Sequence, residues 1–250
     1  MTHSITLSGV DLDYYIYSVR AQTLRTAVFN MAVGGKMYSK GNDLAVVRAL
    51  SGVNFTLTEG DRLGIVGHNG SGKTTLLKVI AGIYEPTRGQ VDVNGKMTSM
   101  IAPMLGLDLE ATGLENIRNL GLMRFLSKKQ IADRVDAIVE FSGLGDFIRL
   151  PVRTYSQGMI ARLTFAVATE FDADILLLDE WLGAGDATFV HQASERMQRM
   201  ADRAKILVLA THSYDLVETT CNKVCEMHAG KVAYFGSTDG WRRHRDAQAA

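Results

Sequence analysis

Eight residues, G-H-N-G-S-G-K-T from Gly67 to Thr74, restrict the chain more than any other stretch of its 250 residues. They fit the spacing G-x-x-x-x-G-K-[ST]. Arg62 to Val66 before them reads as a buried strand, and Lys73 to Ala81 after them has helical character. A strand, a glycine turn and a helix start in that order make a cradle for a polyphosphate. Gly67, Gly70 and Gly72 let backbone N–H groups turn inward, with His68, Asn69 and Ser71 between them. Lys73 can reach the outer phosphates, and the Thr74 hydroxyl can ligate Mg²⁺, with Thr75 beside it. In a chain of average composition a chance match has a probability of about 1%, and here the flanking strand and helix supply the context the mechanism needs.

The rest of the chain is consistent with an α/β fold around that loop. Ile5–Val10 and Val53–Thr58 read as strands, and Gln90–Val93 and Lys96–Ile101 as strands around a turn at Asn94-Gly95. From Leu114 to Phe171 the apolar spacing becomes helical, as in Ile131-Val135-Ile138-Val139. Strands return at Ile175–Leu178, Ile206–Leu209, Val224–Met227 and Val232–Phe235, with a helix over Thr188–Arg203. Buried strands alternating with helices predict a largely parallel sheet.

Composition closes off several alternatives. Lys plus Arg and Asp plus Glu each total 27, so nothing in the balance asks for nucleic acid as a partner. The apolar runs are far shorter than the ~20 residues a bilayer span needs. The N-terminus M-T-H-S-I-T-L-S lacks the basic start and apolar run of a secretion signal. The two cysteines, Cys221 and Cys225, cannot form a disulfide framework, and the cytoplasm is the expected compartment. With His228 they fall short of the four ligands of a structural zinc site.

Two further segments carry chemistry. I-L-L-L-D-E, Ile175–Glu180, is an apolar strand ending in two carboxylates: Asp179 is placed to hold a metal through water, and Glu180 to polarise an attacking water. Thr211-His212 follows the next strand. Ends of parallel strands gather on one edge of a sheet, which brings His212 towards the γ-phosphate. Y-S-Q-G-M, Tyr155–Met159, is a second helix start; alone, it is an ordinary N-cap.

The order of Gly67–Thr74, Y-S-Q-G-M at 155–159, I-L-L-L-D-E at 175–180, G-A-G-D at 183–186 and T-H-S at 211–213 resembles the nucleotide-binding subunit of an ATP-binding cassette (ABC) transporter, over essentially the whole chain. Within that family D-R-L-G-I-V-G-H-N-G, A-G-I-Y-E-P-T-R-G, A-T-G-L-E-N-I, P-V-R-T-Y-S-Q-G-M and L-L-D-E-W-L-G-A-G-D look like the ATPases of polysaccharide exporters, which move O-antigen, capsule or teichoic-acid chains across bacterial inner membranes. The resemblance implies a single ABC ATPase domain over 1–250: a P-loop NTPase with a RecA-like core (about 1–102 and 172–236), an antiparallel β subdomain, a helical subdomain (about 103–171) and a short C-terminal helix (237–250). It implies ATP and Mg²⁺ as ligands, with Thr74 and Asp179 on the metal and Glu180 and His212 catalytic. It also implies that Ser156, Gln157 and Gly158 cap the ATP held by a second copy, with Asp186 at the dimer seam. The further partners implied are a transmembrane permease dimer and, through it, a lipid-linked polysaccharide, with this chain peripheral at the cytoplasmic face of the bacterial inner membrane. A transporter for another substrate, or a non-transport cassette ATPase, is the alternative.

Two places depart from the family pattern. The loop that usually presents Gln, or an acid in this subgroup, has Ala102 in the matching register. Either Asp108 substitutes, or Met100, Met104 and Leu105 couple to the partner by packing, the reading favoured here. The second is at the front, where the chain between the first strand and Ala49-Leu50 is longer than a minimal cassette needs; the aromatic that the family stacks on adenine falls in the register of Tyr14, with Tyr17 and Tyr38 as rivals. A helical face of Leu24, Ala27, Val28, Met31 and Ala32, near Arg20 and Arg25, packs on its own domain or lies against the membrane or transmembrane subunit. Trp241–Ala250 reads as a solvated helix end.

Overall fold

The structure, a computed structural model, describes residues 2–17, 36–39, 44–101, 106–180 and 187–249. Ala102, Met104, Leu105, Asp186 and the helical face built on Leu24 lie outside the described residues, as do the side chains of Tyr17 and Tyr38. The chain divides into two units: Met1–Met97 with Asp174–Trp181 and Lys205–Ala250, and Thr98–Ala173 with Leu182–Ala204.

The first unit contains two sheets. In one, β1 (Ser4–Tyr17), β2 (Lys36–Ser39), β3 (Leu44–Thr58) and, after β4 (Arg62–Val66) and helix α1 (Lys73–Ile80), β5 (Arg88–Asn94) take the order β2-β3-β1-β5. All its pairings are antiparallel. Beside Tyr14, Asp13 is fixed by Arg48, whose Nε and Nη2 donate to its two carboxylate oxygens at 2.8 and 3.0 Å. The Asp13 side chain is buried, and in such sites losing one partner of an ion pair costs about 3–5 kcal/mol.

The strands at Gln90–Val93 and Lys96–Ile101 do not form the expected hairpin. β5 pairs with β1, from Ser4↔Asn94 to Asp11↔Arg88, and the next strand, β6, is only Met97–Ser99. Between them the chain leaves the antiparallel sheet: Lys96 N–H donates to the Asp174 carboxylate at 2.9 Å, and its carbonyl accepts from Asp174 N–H at 2.8 Å. Asn-Gly supplies a sharp turn, but where the flanking strands go depends on partners distant in sequence.

The second sheet uses β7 (Ile175–Asp179), β8 (Ile206–Ala210), β9 (Lys223–His228) and β10 (Lys231–Ser237), with β4 between β9 and β8 in the run β10-β9-β4-β8-β7. β4 is parallel to β8 and to β9, and β8 is parallel to β7. Leu63, Ile65, Val66, Ile175–Leu178 and Ile206–Ala210 are all fully buried. That explains why these strands read as continuous apolar runs: both faces are covered.

The C-terminal helix, which spans Thr238–Ala249, corrects one expectation. Trp241 is 1% exposed, and its indole N–H donates to Glu226 on β9 at 2.9 Å. Arg242 and Arg245 reach Glu218 at 3.1 and 3.2 Å. Its basic sequence resembles a free tail, but one buried aromatic anchors it.

The second unit is helical: α2 (Gly113–Met123), α3 (Lys128–Ala132), α4 (Val135–Ser142), α5 (Gln157–Glu170) and α6 (Ala187–Arg203). Its core joins Ile117, Leu120, Ile138, Leu163 and Val167. Thr112 and Glu115 form a reciprocal capping box on α2, as do Ser127 and Gln130 on α3. The Thr112 N–H and hydroxyl, each 2.8 Å from Glu115 Oε2, hold that carboxyl below the usual carboxylate range.

Candidate active site

The parallel strands β4, β7, β8 and β9 deliver their C-terminal ends to one edge of the sheet, where loops rather than strands set the side chains. After β4 the chain turns through Gly67 at φ 144°, a backbone region L side chains rarely adopt. A Cβ there would also lie 2.4 Å from the Met227 carbonyl oxygen of β9, so this first loop residue has to be glycine. Ser71 is buried; its N–H donates to the His68 carbonyl at 3.1 Å. Lys73 folds across the loop and donates from Nζ to the carbonyls of Gly67 at 2.8 Å and His68 at 3.1 Å. The ammonium is therefore held against the loop by two neutral acceptors that an anion can outcompete.

A cleft of about 480 Å³ opens along this edge, lined by Tyr14, Asn69, Gly70, Gly72, Lys73, Thr74, Thr75, Asp179 and Glu180, with Val47, Ala49 and Gly230. The sequence reading omitted these last three. Gly230 sits in the turn joining β9 to β10, where Ala229 and Gly230 both have positive φ, 47° and 76°. Its N–H donates to the Ser71 carbonyl at 2.9 Å, and its carbonyl accepts from Ser51 N–H at 2.8 Å. A Cβ at Gly230 would meet the Ala49 carbonyl oxygen at 2.5 Å. An Ala-Gly pair between two strands signals a hairpin, and only the fold reveals that the hairpin braces the loop.

Asp179 ends β7, and Glu180 follows it at φ 65° with its N–H donating to the Ala210 carbonyl at 2.8 Å. Left-handed backbone at a non-glycine residue stores strain and aims a side chain where an extended strand would not. His212, two residues past β8, brings Nδ1 to 2.8 Å from Glu180 Oε1. A carboxylate oxygen accepts, so Nδ1 is the donor in this contact. The pair remains open to solution, with side chains 59% and 74% exposed. Glu180 can polarise a water, and His212 orients that carboxylate. Thr74 and Asp179 supply hard oxygen donors to the same cleft, a donor set that suits Mg²⁺ completed by water and phosphate oxygens.

The other helix start belongs to the helical unit. Ser156 is the N-cap of α5, its Oγ accepting from Met159 N–H at 3.2 Å. Ser156, Gln157 and Gly158 are exposed and line a separate cleft of about 650 Å³ with Gly143, Phe147, Arg162 and Phe189. The local reading as a cap thus holds, and it leaves the first-turn amides at the surface. Asp108 is exposed; its carboxylate accepts from Glu110 N–H at 2.9 Å, and its backbone is stapled by the buried Asn116 at 2.8 Å on both the N–H and the carbonyl. Cys221 and Cys225 are buried free thiols, and burial pushes both up to about 12.

A protein-family model described as ABC transporter matches residues 50–183. The O-antigen export system ATP-binding protein RfbE of Yersinia enterocolitica is 38% identical over 92% of this chain and 96% of its own length. The corresponding RfbB of Myxococcus xanthus is 41% identical over 81% of this chain, and the teichoic acids export ATP-binding protein TagH of Bacillus cereus 34% over 96%. The chain spans only 46% and 42% of those two relatives. Among solved structures, an ATP-binding subunit of an ABC transporter superposes with a TM-score of 0.69 at 22% identity, covering 98% of this chain and 95% of its own. A dimeric ATP-binding cassette in a post-hydrolysis state bound to ADP and Pi gives 0.65 at 20%, covering 94% and 98%. The fold is that of these ATPase subunits.

Proposed function

We propose that this chain, which belongs to the ABC transporter family, is the ATP-hydrolysing subunit of an exporter that drives a lipid-linked polysaccharide across the bacterial inner membrane together with a separate transmembrane subunit. The observation that carries the ATPase half is one cleft bordered by the phosphate loop, Thr74, Asp179 and Glu180, with His212 2.8 Å from Glu180. The export half draws on relatives named for O-antigen and teichoic-acid export. Among the described residues no helix is long and apolar enough to cross a membrane; in this reading the chain sits at the cytoplasmic face and the transmembrane subunit carries the translocation path.

In this reading the inward N–H groups of the loop and Lys73 neutralise the phosphates, and Tyr14 stacks on adenine. Thr74 and, through water, Asp179 hold Mg²⁺, which supplies charge neutralisation at the phosphates. Glu180 accepts hydrogen bonds from the water attacking in line on the γ-phosphate, and His212 fixes the Glu180 carboxylate while its Nε2 faces the transferred group. Positioning and charge neutralisation provide most of the acceleration. Ser156, Gln157 and Gly158 close over the triphosphate of a second copy, with Asp186 at the seam. Binding closes the pair, and hydrolysis reopens it.

Copurification with the transmembrane partner, followed by ATP-dependent movement of lipid-linked glycan into membrane vesicles, tests the reading. Stimulation of the ATPase by ribosomes or DNA, with no membrane protein copurifying, would overturn it.

A further inference from the structure

We propose that Tyr84 is a positioning residue for nucleobase recognition: it holds the Tyr14 ring in the orientation that receives the purine of ATP. The inference rests on the reading of the cleft as an ATP site. Tyr14 is the aromatic side chain among the residues lining that cleft. Its ring lies 5.7 Å from that of Tyr84, with the planes 83° apart. A perpendicular neighbour covers at most one face of Tyr14, whose side chain also borders the cleft, and the edge contact restrains the ring about its side-chain torsions.

Tyr84 can do this because its own loop is tied at both ends. On one side, the N–H groups of Ile83 and Tyr84 donate to the Lys78 carbonyl at 2.9 and 3.2 Å, which attaches the loop to the end of α1. On the other, Thr87 N–H donates to the Asp11 carbonyl at 2.8 Å, and the Thr87 hydroxyl accepts from Asp13 N–H at 2.9 Å, immediately before Tyr14 on β1. Lys78 Nζ sits 5.4 Å from the Tyr84 ring centroid, a cation on an aromatic ring. Burial pushes the Tyr14 hydroxyl above the usual phenol range, and hydrogen bonding to Thr75, in the first turn of α1, and to Tyr84 acts on that same hydroxyl. A single short helix therefore presents Lys73 and Thr74 to the phosphates, and Thr75 and Lys78 to the two tyrosines that set the base platform. The geometry couples base recognition to phosphate recognition through α1, and purine triphosphates gain over ligands that carry phosphates alone.

The test compares binding of MgATP and magnesium tripolyphosphate to the full chain by calorimetry, for wild type, Tyr14→Ala, Tyr84→Ala and Tyr84→Phe. Tyr84→Ala should weaken MgATP about two- to tenfold, the range of an aromatic pair contact, and leave tripolyphosphate unchanged. Tyr84→Phe should leave tripolyphosphate unchanged and weaken MgATP less than Tyr84→Ala does, because the ring contact survives while the hydroxyl bonded to Tyr14 is lost. Equal weakening of both ligands by Tyr84→Ala would reduce Tyr84 to a structural loop residue and overturn the inference. Wild-type MgATP affinity in Tyr84→Ala, alongside a clear loss in Tyr14→Ala, would overturn it while sparing the base-stacking reading. No loss in Tyr14→Ala would remove the platform and the inference with it.

Discussion

Glu180 and His212 show how much depends on single backbone angles at this site. The 2.8 Å contact between them exists because Glu180 turns left-handed at the end of β7 while the chain after β8 brings His212 alongside. Glu180→Gln preserves shape and hydrogen bonding but removes the charge that activates water. The expected outcome is retained ATP binding with turnover reduced about 10²–10⁴-fold, measured by phosphate release. Near-normal turnover would take the role away from Glu180. The two cysteines make a different prediction. Their thiols are pushed from an ordinary value of 9.0 up to about 12 by burial, so between those values the folded chain binds more protons than the unfolded one. Stability is then unaffected below about pH 9 and falls as pH rises from there towards 12. Urea unfolding at pH 8 and pH 10 measures the drop, and a Cys221→Ala, Cys225→Ala double variant should flatten it.

Helix starts are the elements on which this chain relies most. Thr112 caps α2 and is bonded back by Glu115, so Thr112→Ala removes one side of a reciprocal pair. The expected cost is about 0.5–2 kcal/mol, read as a lower urea midpoint at unchanged slope. Ser156 caps α5 with the same geometry, yet it is exposed beside a cleft instead of packed into a loop. Ser156→Arg should leave MgATP binding by the isolated subunit intact and abolish turnover, because the obstruction falls where a second copy's triphosphate would dock. Loss of binding in the monomer would show that the segment serves its own site.

At the scale of the whole molecule, the phosphate-binding loop and the α5 start belong to different units of the chain. In the proposed cycle one copy contributes half of each of two shared sites. Light scattering of Glu180→Gln should report a monomer without nucleotide, a dimer with MgATP, and a monomer again with MgADP. A monomer throughout, at protein concentrations up to about 100 μM, would break the shared-site mechanism; that concentration detects binding as weak as about −5.5 kcal/mol.

The strand, glycine loop and helix over 62–80, the acidic end of β7 and the helices over 113–170 were legible in the sequence because each is written locally. Glycine spacing sets a turn, an apolar run followed by two acids sets a buried strand end, and a period of 3.6 sets a helix face. The remaining features depended on contacts between residues far apart in the chain. Asn94-Gly95 specified a turn but not which sheet received the next strand; that was decided by the pairing of β5 with β1 and by Asp174. Trp241 is the large apolar residue in a basic helix, and its burial comes with an indole bond to Glu226 on the distant strand β9. Gly230 and Tyr84 carry no signal of a site, since one braces the loop and the other the aromatic wall only once β10 and the end of α1 have been folded against them. Local chemistry fixes which groups a chain can offer, whereas the free energy of packing distant segments together determines which of them meet.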